Sequence, residues 1–232
     1  MKFRFPTFLV GGAVRDELMG MKSKDLDFVV VCPSFADMEA MLLEQGCKIF
    51  QSRPEFLVSR ALHPTLGAVD FAVARTDGEY SDGRRPENTS VATSIEQDLS
   101  RRDFTINAIA KNVETGEIVD PFDGALDIRQ RLIKCVGDPN DRIREDKLRA
   151  FRALRFSTTK RFEIDSLLTL CIMSLLKSDF NSVSTERIRD ELEKMFAFNT
   201  HGALHQMLRF GNLAALAFDE RNIKLLPSLK KG

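Results

Sequence analysis

The sequence predicts an α/β head followed by an all-helical segment, and three observations carry that prediction. Short β-type runs separated by turns and helices fill the chain to about residue 135. From Arg142 onward apolar residues recur at helical spacing almost throughout. Between the two zones, residues 136–141 concentrate Gly137, Asp138 and Pro139, which favour a turn. Two domains are therefore expected, residues 1–136 and 137–232, and a chain of 232 residues is long enough for each to bury a core.

The elements follow in order. Residues 7–10 are an apolar strand running into Gly11 and Gly12. Residues 26–32 are rich in Val, which suits a pleated, half-buried surface. Residues 68–73, 118–120 and 132–136 complete the expected strands. Helices are expected over 142–158, 165–177, 184–198 and 201–217. Ser184 and Glu186 offer a hydroxyl cap and an early carboxylate to the third of these, and Gly211 and Pro227 punctuate the end of the helical zone. The polar, Gly- and Pro-containing stretch 76–94 reads as a mobile loop, and Lys230-Lys231-Gly232 as a frayed tail.

Composition narrows the class. No apolar run approaches the roughly 20 residues that span a bilayer. The N-terminal Met1-Lys2-Phe3-Arg4-Phe5-Pro6 leads into Gly11-Gly12 rather than a long apolar segment, so a signal peptide is not expected and the expected compartment is cytoplasmic. Cys32, Cys47, Cys135 and Cys171 form no CxxC pair, which argues against zinc and against a disulfide framework and for small buried side chains. Lys plus Arg balance Asp plus Glu at 34 each, so net charge points to no polyanion. Locally the balance breaks. Arg142, Arg144, Lys147, Arg149, Arg152, Arg155, Lys160 and Arg161 are opposed within their stretch only by Glu145 and Asp146. Such a stripe fits a phosphate-bearing ligand or a solvated helix face.

Four segments carry candidate chemistry. In Leu9-Val10-Gly11-Gly12-Ala13-Val14-Arg15-Asp16 a strand meets two glycines and a helix start, an arrangement that lets backbone N–H groups approach phosphate, with Arg15 as a cationic fork; a plain tight turn needs the same glycines. In Lys24-Asp25-Leu26-Asp27-Phe28-Val29, residues two apart on a strand share a face, which aims Asp25 and Asp27 at one place. Like charges held together favour a neutralising cation, and hard carboxylate oxygens select Mg²⁺ or Mn²⁺. Asp70, inside an apolar strand, is a third carboxylate that would complete a two-metal site or else face water on an edge strand. In Asp98-Leu99-Ser100-Arg101-Arg102-Asp103, paired arginines beside an aspartate could present one guanidinium to a nucleotide or form a surface ion-pair cluster.

The fourth segment is 144–156. On one helix Leu148, Phe151 and Leu154 form an apolar stripe, and Asp146, Arg149 and Arg152 step along the other side at i, i+3, i+6. Asp146 accepts and Arg149 donates hydrogen bonds, so the pair can address both kinds of group on a base edge; Arg152 could reach sugar or phosphates, and Arg155 lies beside the apolar stripe with a structural or a ligand role open. His201 and His205, at i, i+4 with no third ligand in view, read as a helix-surface pair rather than a zinc site.

LVGGAVRD, KDLDFVV, RRDFTINAIA, EIVDPFDG and GDPNDRIREDKLRAFRALRF stand in this order over about residues 7–215. In them the chain resembles the class II tRNA nucleotidyltransferases, the bacterial-type CCA-adding enzymes, and the related bacterial poly(A) polymerases. The resemblance implies a polymerase-β-type nucleotidyltransferase head, a mixed β-sheet with helices, and an all-α neck. It implies that Asp25 and Asp27 are metal ligands and that Gly12, Arg15 and Arg102 hold the triphosphate; two Mg²⁺ ions, with Asp70 from the residue pattern as a further catalytic carboxylate, are the expected metal site. Asp146 and Arg149 resemble the pair that reads CTP and ATP, with Arg152 and Arg155 as supporting nucleotide contacts. The loop containing Glu79, Asp82 and Arg85 resembles the one needed to switch from C to A addition. The expected partners are the tRNA 3′ end, CTP and ATP, with no membrane. Members of the family usually continue into further helical domains, so a minimal form or a fragment is expected. A poly(A) or A-adding enzyme, or a non-catalytic RNA-binding module, are the alternatives.

Overall fold

The computed structural model describes residues 2–23, 25–78 and 89–225. Lys24, the loop residues Glu79, Asp82 and Arg85, and the tail Lys230-Lys231-Gly232 lie outside the described residues. The chain divides into two compact units, one reaching Gln130 and one running from Arg131.

The first unit is built on a seven-stranded sheet. Its strands are β1 (Thr7–Val10), β2 (Asp27–Val30), β3 (Lys48–Arg53), β4 (Val58–His63) and β5 (Gly67–Val73), with β8 (Ala110–Asn112) and β9 (Ile118–Val119) following a separate two-stranded ribbon of β6 (Arg75–Asp77) and β7 (Thr89–Val91). The order is β3-β4-β5-β2-β1-β8-β9. The β2–β5 pair is parallel and the other pairs are antiparallel, which makes the sheet mixed. Period-two alternation divides its faces. Phe28 and Val30 on β2, and Val69, Phe71 and Val73 on β5, join Met38, Met41 and Leu42 of helix α2 (Phe35–Glu44) in the core. Asp27 and Asp70 therefore fall on the opposite face. β5 lies between β4 and β2, so Asp70 is not on an edge strand.

β1 and β2 appear close to their expected spans. β3 and β4 had no clear sequence signal, because β3 is the exposed edge and β4 buries Ser59 and His63 at positions where an apolar residue would have marked the alternation.

The second unit opens with β10 (Leu132–Ile133), which pairs in parallel with β11 (Glu163–Ile164). It continues with α5 (Pro139–Glu145), α6 (Leu148–Lys160), α7 (Ser166–Ser174), α8 (Thr185–Phe198), α9 (Thr200–Arg209) and α10 (Gly211–Ala214). The single helix expected over 142–158 is two helices, because Asp146 takes extended backbone at φ −147° and ψ 105°. The stretch 201–217 is likewise interrupted, at Phe210, where φ is −111° and ψ 63°. Ser184 sits at the N-cap of α8, but its hydroxyl makes no capping hydrogen bond. All four cysteines are free and buried. No helix among the described residues is long and apolar enough to cross a membrane.

Candidate active site

The site in the first unit is assembled from the ends of β1 and β2, the middle of β5 and the segment after helix α3 (Ile95–Ser100). Asp27 is the first residue of β2, and its register partner on β5 is Asp70. Asp70 is in turn the register partner of Arg60 on β4, whose Nε donates to Asp70 Oδ1 at 2.7 Å. Asp25 precedes the strand, so the expected i, i+2 strand spacing does not apply to it. Its charge still acts on Asp27. Burial, then the neighbouring charge of Asp70, and, more weakly, that of Asp25 push the Asp27 carboxyl above its ordinary range, against the lowering effects of Arg102 and Arg60.

These oxygens suit a hard divalent cation, which would relieve the crowding that raises Asp27. Among the described residues no group of three or more His, Cys, Asp or Glu side chains stands ready as a metal cage. Asp25, Asp27 and Asp70 are therefore not brought together as the three-carboxylate site the sequence suggested.

Beside the carboxylates lies an arginine cluster held by buried acceptors. Gly11 takes φ +65°, a backbone open to glycine, and a Cβ there would stand 3.2 Å from Arg102 Nη1. A Cβ on Gly12 would stand 3.4 Å from Arg15 Nη2. The glycines thus give guanidinium groups room to approach the backbone. Arg15 donates through Nε to Asp16 Oδ1 at 2.9 Å and through Nη1 to Asn107 Oδ1 at 2.6 Å. Its fork, expected to face phosphate, is directed at protein acceptors, and only 7% of its side chain is exposed, against 18% for Arg102.

Arg102 is oriented by Asp98, a fully buried residue the sequence reasoning did not single out. Asp98 Oδ2 accepts from Arg102 Nη2 at 2.8 Å, and Oδ1 from Arg101 Nη2 at 2.6 Å. Burial would raise the Asp98 pKa, but the two guanidinium groups outweigh it and hold the carboxyl below the usual range. Asn107 links the two phosphate-binding candidates, because its side chain meets Arg15 and its carbonyl faces Arg102 Nη1 at 3.4 Å. The turn carrying Asn107 (Thr105–Asn107) is braced by helix α4 (Gly124–Gln130). There Asp127 accepts from Thr105 Oγ1 at 2.6 Å, and Asp120 accepts the N–H groups of Gly124 and Ala125, each at 2.8 Å. A Cβ on Gly124 would stand 2.2 Å from the Thr105 carbonyl oxygen, so this position requires glycine.

In the second unit, Asp146 does not share a helix face with Arg149 and Arg152. It precedes α6, where Oδ1 accepts the Leu148 N–H at 3.0 Å and Oδ2 accepts from Arg187 of α8 at 2.7 Å. Arg149 is buried and donates to the Arg142 carbonyl at 2.8 Å and to Glu145 Oε2 at 2.6 Å. Arg152 and Arg155 both face Glu191 of α8, at 3.8 Å for Arg152, and Arg155 also lies over the Phe156 ring at 4.0 Å. Glu191, 5% exposed, is therefore the counter-charge that Arg152 and Arg155 share in the middle of the basic stripe. No periodicity could have revealed it, since 36 residues separate it from Arg155. Leu148, Phe151 and Leu154 are buried as expected.

Residues 7–134 match the poly A polymerase head domain family. A CCA-adding enzyme of Geobacillus thermodenitrificans is 38% identical over 201 residues, which cover 83% of this chain and 46% of the relative. A crystal structure of the Bacillus stearothermophilus CCA-adding enzyme in complex with CTP superposes with a TM-score of 0.78 at 31% identity, covering 90% of this chain and 49% of that one. A Thermotoga maritima CCA-adding enzyme complexed with tRNA gives a TM-score of 0.73 at 27% identity, covering 97% and 50%. The chain spans about half the length of these relatives. With its mixed-sheet head and helical second unit, the chain belongs to the family of class II CCA-adding enzymes and poly(A) polymerases.

Proposed function

We propose that the chain is a template-independent nucleotidyltransferase that adds CMP and AMP from CTP and ATP to the 3′ end of tRNA. The observation that supports this most directly is the pairing of Asp27 with Asp70 on adjacent parallel strands, on the sheet face turned away from the core. In this reading Asp25 and Asp27 hold two Mg²⁺ ions, and Asp70 completes the carboxylate face. When bound, such ions would neutralise charge and lower the pKa of the attacking hydroxyl. The RNA 3′-hydroxyl attacks the α-phosphorus in line, and pyrophosphate leaves. Arg102, the more accessible guanidinium, holds the triphosphate beside the Gly12 backbone, and Arg15 acts from behind it with Asn107. Positioning and electrostatics dominate, and little acid–base chemistry is asked of side chains.

Asp146 and Arg149 present an acceptor and a donor for the base edge, and Arg152 and Arg155 support the nucleotide. Arg187 and Glu145 orient the reading pair through the bonds described above. Asp146→Ala is then expected to reduce CTP/ATP discrimination about tenfold or more, with a smaller effect on triphosphate affinity, since a mispaired polar site loses selectivity first. Intact discrimination with only a slower rate would remove the base-reading role. The decisive assay supplies tRNA lacking its CCA end with labelled CTP and ATP, with and without Mg²⁺, and sequences the product. Ordered C, C, A that depends on the metal is the expected result. A run of A assigns poly(A)-type activity, and no incorporation with Mg²⁺ or Mn²⁺ leaves only an RNA-binding module.

A further inference from the structure

A row of polar side chains crosses the sheet face turned away from the core and continues past the carboxylates. Asp27 on β2 is the register partner of Asp70 on β5, Asp70 that of Arg60 on β4, and Arg60 that of Gln51 on β3. Side chains set opposite one another stand roughly 5 Å apart at Cβ, so each can reach the next. Beyond Asp70 the row lines a cleft of about 190 Å³ together with Arg53 and Val58. Arg53 has its own partner there, because Gln51, with its amide oxygen turned toward it, accepts from Nη2 at 2.6 Å. Arg60 is left to Asp70.

Asp70 thus has an acid on one flank and a cation on the other. Arg60 Nε donates to Oδ1 at 2.7 Å from β4, and β4 pairs with the edge of β5 opposite to β2 and Asp27. Stability does not explain the pair. Its side chains are 52% and 37% exposed, and ion pairs that open to water add little to a fold. Charge alone does not explain it either, because a guanidinium beside acids that are to receive a cation opposes that cation. Direction does. A charge-assisted hydrogen bond from a planar donor holds a carboxylate at one angle, and a group-transfer site depends on placement to within about an ångström.

We propose that Arg60 is a positioning residue for Asp70, anchoring one carboxylate oxygen on the β4 side and so aiming the other at the cation and the attacking hydroxyl. The proposal rests on the nucleotidyltransferase reading above and adds to it a residue that touches neither nucleotide nor metal. Its signature is a split between affinity and rate. Removing the guanidinium takes a positive charge away from the acids and frees Asp70 to swing, so cation binding strengthens while the productive geometry is lost.

Kinetics and metal binding of the full chain test it together. CMP incorporation into tRNA lacking its CCA end is followed at saturating CTP and Mg²⁺. Arg60→Ala is expected to lower kcat on the order of 10- to 100-fold. KM for CTP and for RNA should change by no more than about twofold, and the melting temperature should stay within about a degree of the parent. Arg60→Lys keeps the charge and loses the planar donor, so it should recover little of the rate. Binding of Mn²⁺ alone, read by electron paramagnetic resonance, needs no turnover. Arg60→Ala should tighten it roughly threefold or more. In an Asp70→Asn background the same substitution should do less, because Arg60 then acts only by its charge on Asp27. An unchanged kcat overturns the proposal, as does full rescue by lysine, which would make charge sufficient. A loss confined to KM for RNA overturns it too and makes Arg60 an RNA contact. So does an equal effect on Mn²⁺ in both backgrounds. A parent that incorporates CMP no better than Arg60→Ala loses the positioning role and keeps its enzymatic reading. One that binds Mn²⁺ with the expected coupling and incorporates nothing does the reverse, and one that does neither loses both.

Discussion

Asp98 and Asp27 are carboxylates of the same unit, and their surroundings treat them in opposite ways. Asp98, wholly buried, is held by two guanidinium groups that keep it ionised. Asp27, on the sheet face away from the core, is held toward its neutral form by desolvation first and then by the charges of Asp70 and Asp25. A buried acid kept for stability is surrounded by compensation, whereas one kept for binding a cation is left undercompensated until its ligand arrives. With Asp27 as a cation ligand, as proposed above, the contrast separates an acid of the scaffold from one of the chemistry.

The sharpest way to break this comparison is Asp27→Asn. Nucleotide incorporation should fall by a factor on the order of 10³ or more, while the melting temperature stays level or rises by a degree or two, because a repulsive charge has been removed. A variant that is inactive because it melts early would put Asp27 with the scaffold. Asp98→Ala should do the opposite and cost about 3–5 kcal/mol in urea denaturation, since it leaves two arginines facing a buried void. Stability near that of the parent would mean that Arg101 and Arg102 find other partners.

Gly124→Ala tests the brace behind Asn107. With a 2.2 Å approach to the Thr105 carbonyl it should cost about 1–3 kcal/mol or more, because the close atom is backbone and cannot swing away. The smallest effect is in pH. The lowered pKa of Asp98 gives stability that is complete above the ordinary carboxylate value of 3.8 and is lost as pH falls through the lowered one. Asp27 has the other sign, so its ionisation weakens the fold as pH rises above 3.8. Compared by thermal melts from pH 3 to 7, the Asp98→Ala deficit should shrink toward acid, and the gain from Asp27→Asn should appear only above it. Parallel curves for the two variants would remove the distinction.

Much of the candidate site was legible in order along the chain. The glycine turn, the neighbouring acids and the paired arginines each lie in a short segment whose residue types imply their chemistry. Less legible were the residues that orient them. Asp98 looked like one more acid in a charged segment, and Glu191 stands 36 residues from the arginine it neutralises. Arg60 meets Asp70 only because β4 pairs with β5, a strand whose buried positions carry Ser59 and His63. The expected helical ladder of Asp146, Arg149 and Arg152 failed at one residue, where extended backbone at Asp146 replaces a helical turn.

By itself the sequence determined the two-part architecture, the strands that carry Asp27 and Asp70, and the candidate list, because local periodicity and residue chemistry act over a few positions. Only the tertiary structure decided which charges are compensated. Strand register puts Asp27 beside Asp70, and the packing of α8 on α6 sets Glu191 against Arg152 and Arg155 in the middle of the basic stripe. Charge acts through space over a few ångströms, and the partners that set it are distant along the chain.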